Sequence, residues 1–338
     1  MNLMVTGGAG FIGSNFIRYW LERYPGDRVV NLDLLTYAGN LASLSDVAQR
    51  FADHYTFVRG DIGNLDLVQH LLALYRIDAV VNFAAESHNS RAILDPAAFF
   101  RTNVLGTQGL MEACRQQKIA RVHHVSTCEV FGDLDLDSPA SFDENYPYRP
   151  RTPYNASKAG SDLAVRSYFE TFGLPVSIST CANNFGPYQF PEKLIPLFIA
   201  NALDDQPLPL YQSSANRREW LYVDDHCRAI DLILKHGRVG ELYNIGSGVE
   251  QSVEQITDRI LALLDKPQGL KTYVPDRPGH DRRYLLNSGK IRRELGWAPQ
   301  VAFEEGMRKT VAWYLDNQAW WRPLQARLAV AEGAWQQV

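Results

Sequence analysis

Tyr154 and Lys158 stand four residues apart, a spacing that on a helix puts both side chains on one face and lets them reach the same space. An ammonium beside a phenol favours the phenolate, which lowers the tyrosine pKa and makes Tyr154 a base for a hydroxyl proton. Taken alone, the pair is equally a surface helical pair. Two further stretches give it a chemical setting. Ser126-Thr127-Cys128-Glu129 follows a β-rich run and would bring a hydroxyl and a carboxylate to the end of a strand. Thr6-Gly7-Gly8-Ala9-Gly10-Phe11-Ile12-Gly13 spaces three glycines as G-x-x-G-x-x-G directly behind another. Such glycines let a turn tighten and let backbone approach a pyrophosphate at the positive end of a helix. Together the three stretches suit oxidation of a carbinol by a bound nicotinamide cofactor, followed by acid–base chemistry on the ketone.

The cofactor side can be extended. Asp33 ends a second β-rich run 20 residues after Gly13, where its carboxylate would accept hydrogen bonds from the adenosine ribose hydroxyls. A 2′-phosphate would meet like charge there, so NAD is favoured over NADP; the competing role for Asp33 is to cap the next turn. Asp61-Ile62 after a third run would cup the adenine. Phe83-Ala84-Ala85 after a fourth supplies small residues where backbone must pass close to phosphate.

The elements that must hold these residues alternate. Leu3–Thr6, Val29–Leu32, Thr56–Arg59, Ala79–Phe83, Val122–Ser126 and Val176–Cys181 read as strands, with helical stretches such as Asn15–Arg23, Val68–Leu74 and Phe100–Gln116 between them. This predicts an α/β fold, a doubly wound parallel sheet of Rossmann type over residues 1–186, with its ligand at the carboxyl ends of the strands. After Gly186 the rhythm breaks, and 187–338 is expected to form a smaller mixed α/β substrate lobe with some chain crossing back. Two lobes also suit 338 residues, because single cores stop growing near roughly 250–300. Trp320 and Trp321 are expected to pack on the body or on a partner. A net charge of −4 gives no reason to expect a nucleic-acid partner. A strand beginning at Leu3 leaves no room for a signal peptide, and no apolar run approaches the ~20 residues of a membrane span, so a cytoplasmic location is expected. Cys114, Cys128, Cys181 and Cys227 match neither a metal pattern nor a disulfide framework.

The chain resembles the extended short-chain dehydrogenase/reductases, and among them the dTDP-glucose 4,6-dehydratase family. The resemblance is carried by Val5–Tyr19, Leu32–Asn40, Ala84–Arg91 (AAESHNSR), Ser126–Gly132 (STCEVFG), Tyr154–Lys158, Asn183–Leu197, Arg218–His226 and Asp276–Arg283 (DRPGHDRR). It implies an NAD-dependent lyase acting on a nucleotide-diphosphate hexose. Tyr154 with Lys158 and Thr127 would assist oxidation at C4, Glu129 would remove the C5 proton, and an acid would release the C6 hydroxyl before hydride returns to C6. It adds Thr36 to the cofactor set and Ser87 and His88 to the substrate set. Beyond residue 183 it implies that Asn184, Lys193 and Arg218 meet the phosphates, that Tyr211 stacks on the base and that Arg277 closes the site. A homodimer is implied too, with Phe100–Gln116 and Tyr154–Phe172 pairing across a two-fold axis.

Four positions, in three places, depart from the family pattern. Cys128 stands where the acid is an aspartate; a thiol near pKa 8.5 holds a proton at neutral pH but donates weakly, and a free cysteine also serves as a small hydrophobe. His88-Asn89-Ser90-Arg91 replaces His-Val-Asp-Arg, and Val249 replaces a nucleotide-contacting asparagine. The leading expectation is a 4-keto-6-deoxy product. The alternatives are a 5,6-dehydratase returning hydride to C4, a C4-epimerase, and a non-catalytic NAD-bound protein.

Overall fold

The computed structural model describes residues 1–326. The strands are β1 Asn2–Thr6, β2 Arg28–Asp33, β3 Tyr55–Arg59, β4 Ala79–Asn82, β5 Arg121–Thr127 and β6 Val176–Cys181. After them come β7 Asn183–Phe185, β8 Leu208–Tyr211, β9 Arg217–Tyr222, β10 Leu242–Ile245, β11 Glu250–Ser252 and β12 Lys271–Val274. Seven of them form one parallel sheet in the order β3-β2-β1-β4-β5-β6-β10, as expected of a doubly wound fold. The chain leaves β1 toward β2 on one side and returns to β4 on the other, so a crevice opens above the carboxyl ends of β1 and β4.

The first strand shows why the sheet is buried on both faces. Leu3 and Val5 pack with Phe16, Ile17 and Trp20 on one side, while Met4 packs with Val68, Leu71 and Leu110 on the other. A parallel strand covered by helices on both faces reads as a continuous apolar run rather than an alternation. The chain builds the smaller lobe from a mixed three-stranded sheet, β11-β9-β7, and a two-stranded one, β12-β8, and the first strand of that lobe, β7, falls just before Gly186. It also crosses back: β10 joins β6, and the helix Val223–His236 sets Val223, Cys227 and Ile230 against Phe16 and Trp20. Trp321 is fully buried beside Tyr314, and Trp320 packs edge-on to Tyr188 and Trp313. Residues 327–338, part of the Trp-rich tail singled out in the sequence, lie outside the described residues. No helix among the described residues is long and apolar enough to cross a membrane.

Glu219 on β9 ties the small sheet to the turn between β10 and β11 and to the segment around Leu286. Its carboxylate accepts N–H bonds from Gly248 at 2.6 Å and Leu286 at 2.9 Å. Burial pushes this carboxyl up to about 7 from an ordinary 4.5. A carboxyl whose folded pKa is raised gives stability that is fully present below the unfolded value and is lost as pH rises through the folded one. The stability of the wild-type chain relative to Glu219→Gln is therefore expected to fall by about 3 kcal/mol from pH ~4.5 to ~7.5, measured by denaturant unfolding. Equal pH slopes in the two proteins would remove Glu219 as the cause.

Candidate active site

The glycine turn leaves β1 and opens the helix Phe11–Arg23. Gly7 has a φ of +68°, and a Cβ on it would meet the Ala84 backbone nitrogen at 2.6 Å; one on Gly13 would meet the Gly7 carbonyl oxygen at 2.5 Å. Only glycine fits these two places, so the turn presents bare backbone to a cavity of about 360 Å³. Gly7, Gly10, Phe11, Ile12 and Gly13 line it at the turn, Asp33 at the end of β2 and Thr36 beyond it, and Asp61 and Ile62 beyond β3. Ala84 and Ala85 line it beyond β4, with Tyr154 and Lys158 at its chemical end. Asp33 accepts the Ala9 N–H at 2.9 Å and the Leu35 N–H at 2.7 Å, and burial raises its pKa. It pins the glycine turn and shapes the next one while still lining the cavity. Bare amides at a helix amino terminus, with a carboxylate at the end of the neighbouring strand, fit a dinucleotide without a 2′-phosphate.

Local sequence explains where the chemical groups sit. Thr152 caps the helix Pro153–Phe172 by accepting the Asn155 N–H at 3.2 Å, Pro153 occupies its first turn, and Gly173 at φ +69° ends it. Tyr154 and Lys158 therefore fall on its first two turns. Thr127 closes β5, and its hydroxyl oxygen accepts the Glu129 N–H at 3.3 Å, capping the tight turn Cys128–Phe131. The Thr127 side chain lies beside the Tyr154 hydroxyl and favours its ionised form. Lys158 points back toward the sheet: its Nζ donates to the Val125 carbonyl at 2.9 Å and lies 3.4 Å from His124 Nε2. His124 in turn stands 3.3 Å from Asp162.

This arrangement corrects the expectation that Lys158 lowers the Tyr154 pKa. Burial, and after it the Glu129 charge, push the phenol well above its ordinary value, and burial lowers Lys158. With both groups almost fully out of water, desolvation of the charged form outweighs their attraction. Cys128 is 1% exposed among Val130, Phe131, Ala159 and Cys181, and lines neither this cavity nor its neighbour. Burial raises its thiol well above the ordinary value, with Glu129 adding to the shift.

A second cavity of about 530 Å³ is lined by His88, Lys193, Tyr211, Arg218 and Arg277. The two cavities meet at Glu129, Asn183, Glu192 and Lys193. His88 caps the helix Asn89–Leu94, and burial next to Lys193 and Arg91 pushes it down to about 2, so the ring is neutral. Lys193 Nζ donates to the Ser87 carbonyl at 2.8 Å. Arg277 Nη1 is buried with no hydrogen-bond partner among the described residues, the state of a donor awaiting an anion. Arg218 stacks on Tyr284 at 4.6 Å and gives its Nη2 to the Asp281 carbonyl at 2.6 Å; Tyr211 packs edge-on to His280. Ser87 and Asn184 line the first cavity rather than the second. The Asn184 amide donates to the Ala182 carbonyl at 2.9 Å and shares a 3.0 Å bond with His226. Val249 faces a separate apolar recess beside Phe185 and Phe303.

Three neighbours escaped the sequence as site residues. Arg91 lies over the Tyr37 ring at 3.7 Å and 3.5 Å from Glu192, with Nε and Nη2 buried and lacking hydrogen-bond partners among the described residues. Glu192 accepts the Tyr37 hydroxyl at 2.7 Å. Asn89 donates to Glu129 Oε2 at 3.0 Å. Its only signal in the sequence was its place in the altered His-Asn-Ser-Arg run.

Comparison with known proteins gives a consistent picture. The family model for GDP-mannose 4,6 dehydratase matches residues 4–310. A dTDP-glucose 4,6-dehydratase of Xanthomonas campestris pv. campestris is 50% identical over 335 residues, with 94% of each chain covered. The crystal structure of a dTDP-glucose 4,6-dehydratase from Streptomyces venezuelae with NAD bound superposes with a TM-score of 0.92 at 50% identity, covering 96% of this chain and 100% of the other. One from Bacillus anthracis in complex with NAD gives 0.89 at 44% identity, covering 96% and 99%.

Proposed function

The chain belongs to the 4,6-dehydratase family of that model and those dTDP-glucose 4,6-dehydratases, and from this premise we propose that it dehydrates a nucleotide-activated hexose of the dTDP-glucose type with NAD, giving a 4-keto-6-deoxy sugar. The observation that carries the reading is the junction of the two cavities at Glu129. On one side stand Tyr154, Lys158 and Thr127; on the other stand Arg277 Nη1 and Arg91 Nη2, buried donor atoms with no hydrogen-bond partner among the described residues. NAD in the first cavity would supply the hydride acceptor and donor. Asp33 would hold its ribose, with the glycine turn against its diphosphate. Tyr154, with Thr127 beside it, would take the C4 hydroxyl proton, and Glu129 the C5 proton that a C4 ketone acidifies. Arg277, Lys193 and Arg91 would face the substrate diphosphate, and Tyr211 would stack on the base.

The test is incubation with dTDP-, UDP-, CDP- and GDP-glucose, the products being read by mass spectrometry and NMR. Loss of water with a C6 methyl doublet is expected. An exocyclic vinyl pair would make the enzyme a 5,6-dehydratase, epimer without water loss would make it an epimerase, and no turnover with any sugar would leave a non-catalytic protein.

As part of the same reading, residues 1–186 hold the cofactor and 187–338 grip the nucleotide, and the enzyme works in the cytoplasm, where four free, buried cysteines need no oxidising compartment. It also works as a homodimer. Phe100 and Leu105 on one helical stretch, and Leu163 and Phe172 on the other, are large exposed apolar side chains that a four-helix interface would cover. Leu105→Glu combined with Leu163→Glu is expected to halve the mass seen by light scattering. A wild-type chain that is already monomeric would end the dimer proposal.

A further inference from the structure

Glu129 has one carboxylate oxygen held and one free. Asn89 donates to Oε2 at 3.0 Å and accepts the Thr152 hydroxyl at 2.7 Å, and Thr152 caps the helix of Tyr154 and Lys158. The carboxylate is thus fixed relative to Tyr154 through two hydrogen bonds. Oε1 has no hydrogen-bond partner among the described residues, and the side chain lines both cavities.

Loss of water needs an acid for the departing oxygen as well as a base. The other proton-bearing groups around Glu129 are committed elsewhere. Cys128 is sealed among apolar side chains and opens onto neither cavity. The Tyr284 hydroxyl donates to Asp281, which is fully buried. His88 is a neutral helix cap, Lys193 donates to the Ser87 carbonyl, Glu192 is tied to Tyr37 and Arg91, and Tyr154 belongs to C4. Among the described residues, Glu129 is the carboxylate that joins an oxygen free of hydrogen bonds to a place at the junction.

Resting on the dehydratase reading, we propose that Glu129, positioned by Asn89, performs both halves of the elimination. Its free oxygen takes the C5 proton as the C5–H electron pair moves into the enolate of the C4 ketone. That pair then forms the C5–C6 double bond while the C6–O pair leaves with oxygen. The oxygen receives the same proton from the Glu129 carboxyl, so one water departs, a 4-keto-5,6-ene remains and the carboxylate is restored. Both proton transfers lie on one face of the sugar. Asn89 is a positioning residue in this scheme, and Cys128 is a packing one.

The experiment uses the full chain with NAD and dTDP-glucose in single turnover, following C4 oxidation by reduced-nicotinamide absorbance and water loss by quenched-flow mass spectrometry. Cys128→Ala is expected to lose water within about threefold of the wild-type rate. Asn89→Ala is expected to keep C4 oxidation and substrate KM but to lose water about 10- to 100-fold more slowly. A Cys128→Ala enzyme that oxidises C4 normally but loses water about 100-fold more slowly makes the thiol the acid and overturns the proposal. Unimpaired water loss in Asn89→Ala overturns the positioning role. Cys128→Val fills the site without a proton and replaces the alanine variant should that one fail to fold. A wild-type chain that releases no water from any nucleotide sugar refutes the dehydratase reading itself, and this inference falls with it.

Discussion

Tyr154→Phe is expected to lower the rate of C4 oxidation by about 10²- to 10⁴-fold while leaving the fold and substrate binding intact. The ring keeps its edge-on packing against Phe99 at 6.2 Å, and the loss is one hydroxyl beside Thr127, where strand β5 meets the helix Pro153–Phe172. Thermal unfolding should therefore move little, and the defect should sit in kcat rather than KM. The pH dependence follows from the environment. Burial and the Glu129 charge hold the Tyr154 proton more tightly than in water, so the fraction able to act as base grows as pH rises. The oxidation rate of the wild-type enzyme is expected to climb between about pH 7 and 9, and the residual rate of Tyr154→Phe to be flat. Stopped-flow absorbance of reduced nicotinamide checks both. A phenylalanine variant that forms the C4 ketone at the wild-type rate removes Tyr154 from the chemistry.

How much of this could be read from the sequence depends on how local each feature is. The strands of the parallel sheet are legible nearly to the residue: the pattern over Leu3–Thr6 matches the strand Asn2–Thr6, and the pattern over Val176–Cys181 matches the strand of the same bounds. Parallel strands buried on both faces leave a continuous apolar signature. Strand β10, by contrast, is four residues long, and nothing within Leu242–Ile245 says that it pairs with β6 rather than within the small lobe. The stretch Phe100–Gln116 has the pattern of one helix, yet Phe100–Gly106 winds as a π-helix before Thr107–Gln116 continues as α. The cause is tertiary. Asn103 in the widened turn donates to Ser157 at 2.8 Å and bonds both backbone groups of Glu86, joining the helix Pro153–Phe172 to the loop beyond β4.

The site divides in the same way. The glycine turn and the Tyr154/Lys158 pair declare themselves because their spacing is short and set by one turn or one helix. Where Lys158 Nζ points does not follow from an i,i+4 relation; the Val125 carbonyl decides it. Arg91 and Glu192 acquire meaning only where the helix Asn89–Leu94 meets the segment around residue 192, and Asn89 only where it meets Glu129 and Thr152. Cys128 is the reverse case. Its position in the motif suggested a chemical role, and its surroundings are those of a small apolar side chain.

Glu129→Gln separates oxidation from elimination. Glutamine has nearly the same shape, and its side-chain oxygen can still accept the Asn89 Nδ2 hydrogen, so the tie to Thr152 and the catalytic helix survives. What disappears is the carboxylate facing the junction of the two cavities. Tyr154 and Thr127 are untouched, so the C4 ketone should form at close to the wild-type rate. Removal of the C5 proton should fall by about 10²- to 10⁴-fold, the range lost with a general base. In single turnover the absorbance of reduced nicotinamide should then rise and persist, whereas in the wild-type enzyme it decays as the sequence completes. Mass spectrometry should find the ketone with its water retained, and C5 should not exchange with deuterated solvent. Water loss at the wild-type rate would place the base elsewhere. A glutamine variant that forms no ketone would instead tie Glu129 to the first step, through the charge it places beside Tyr154.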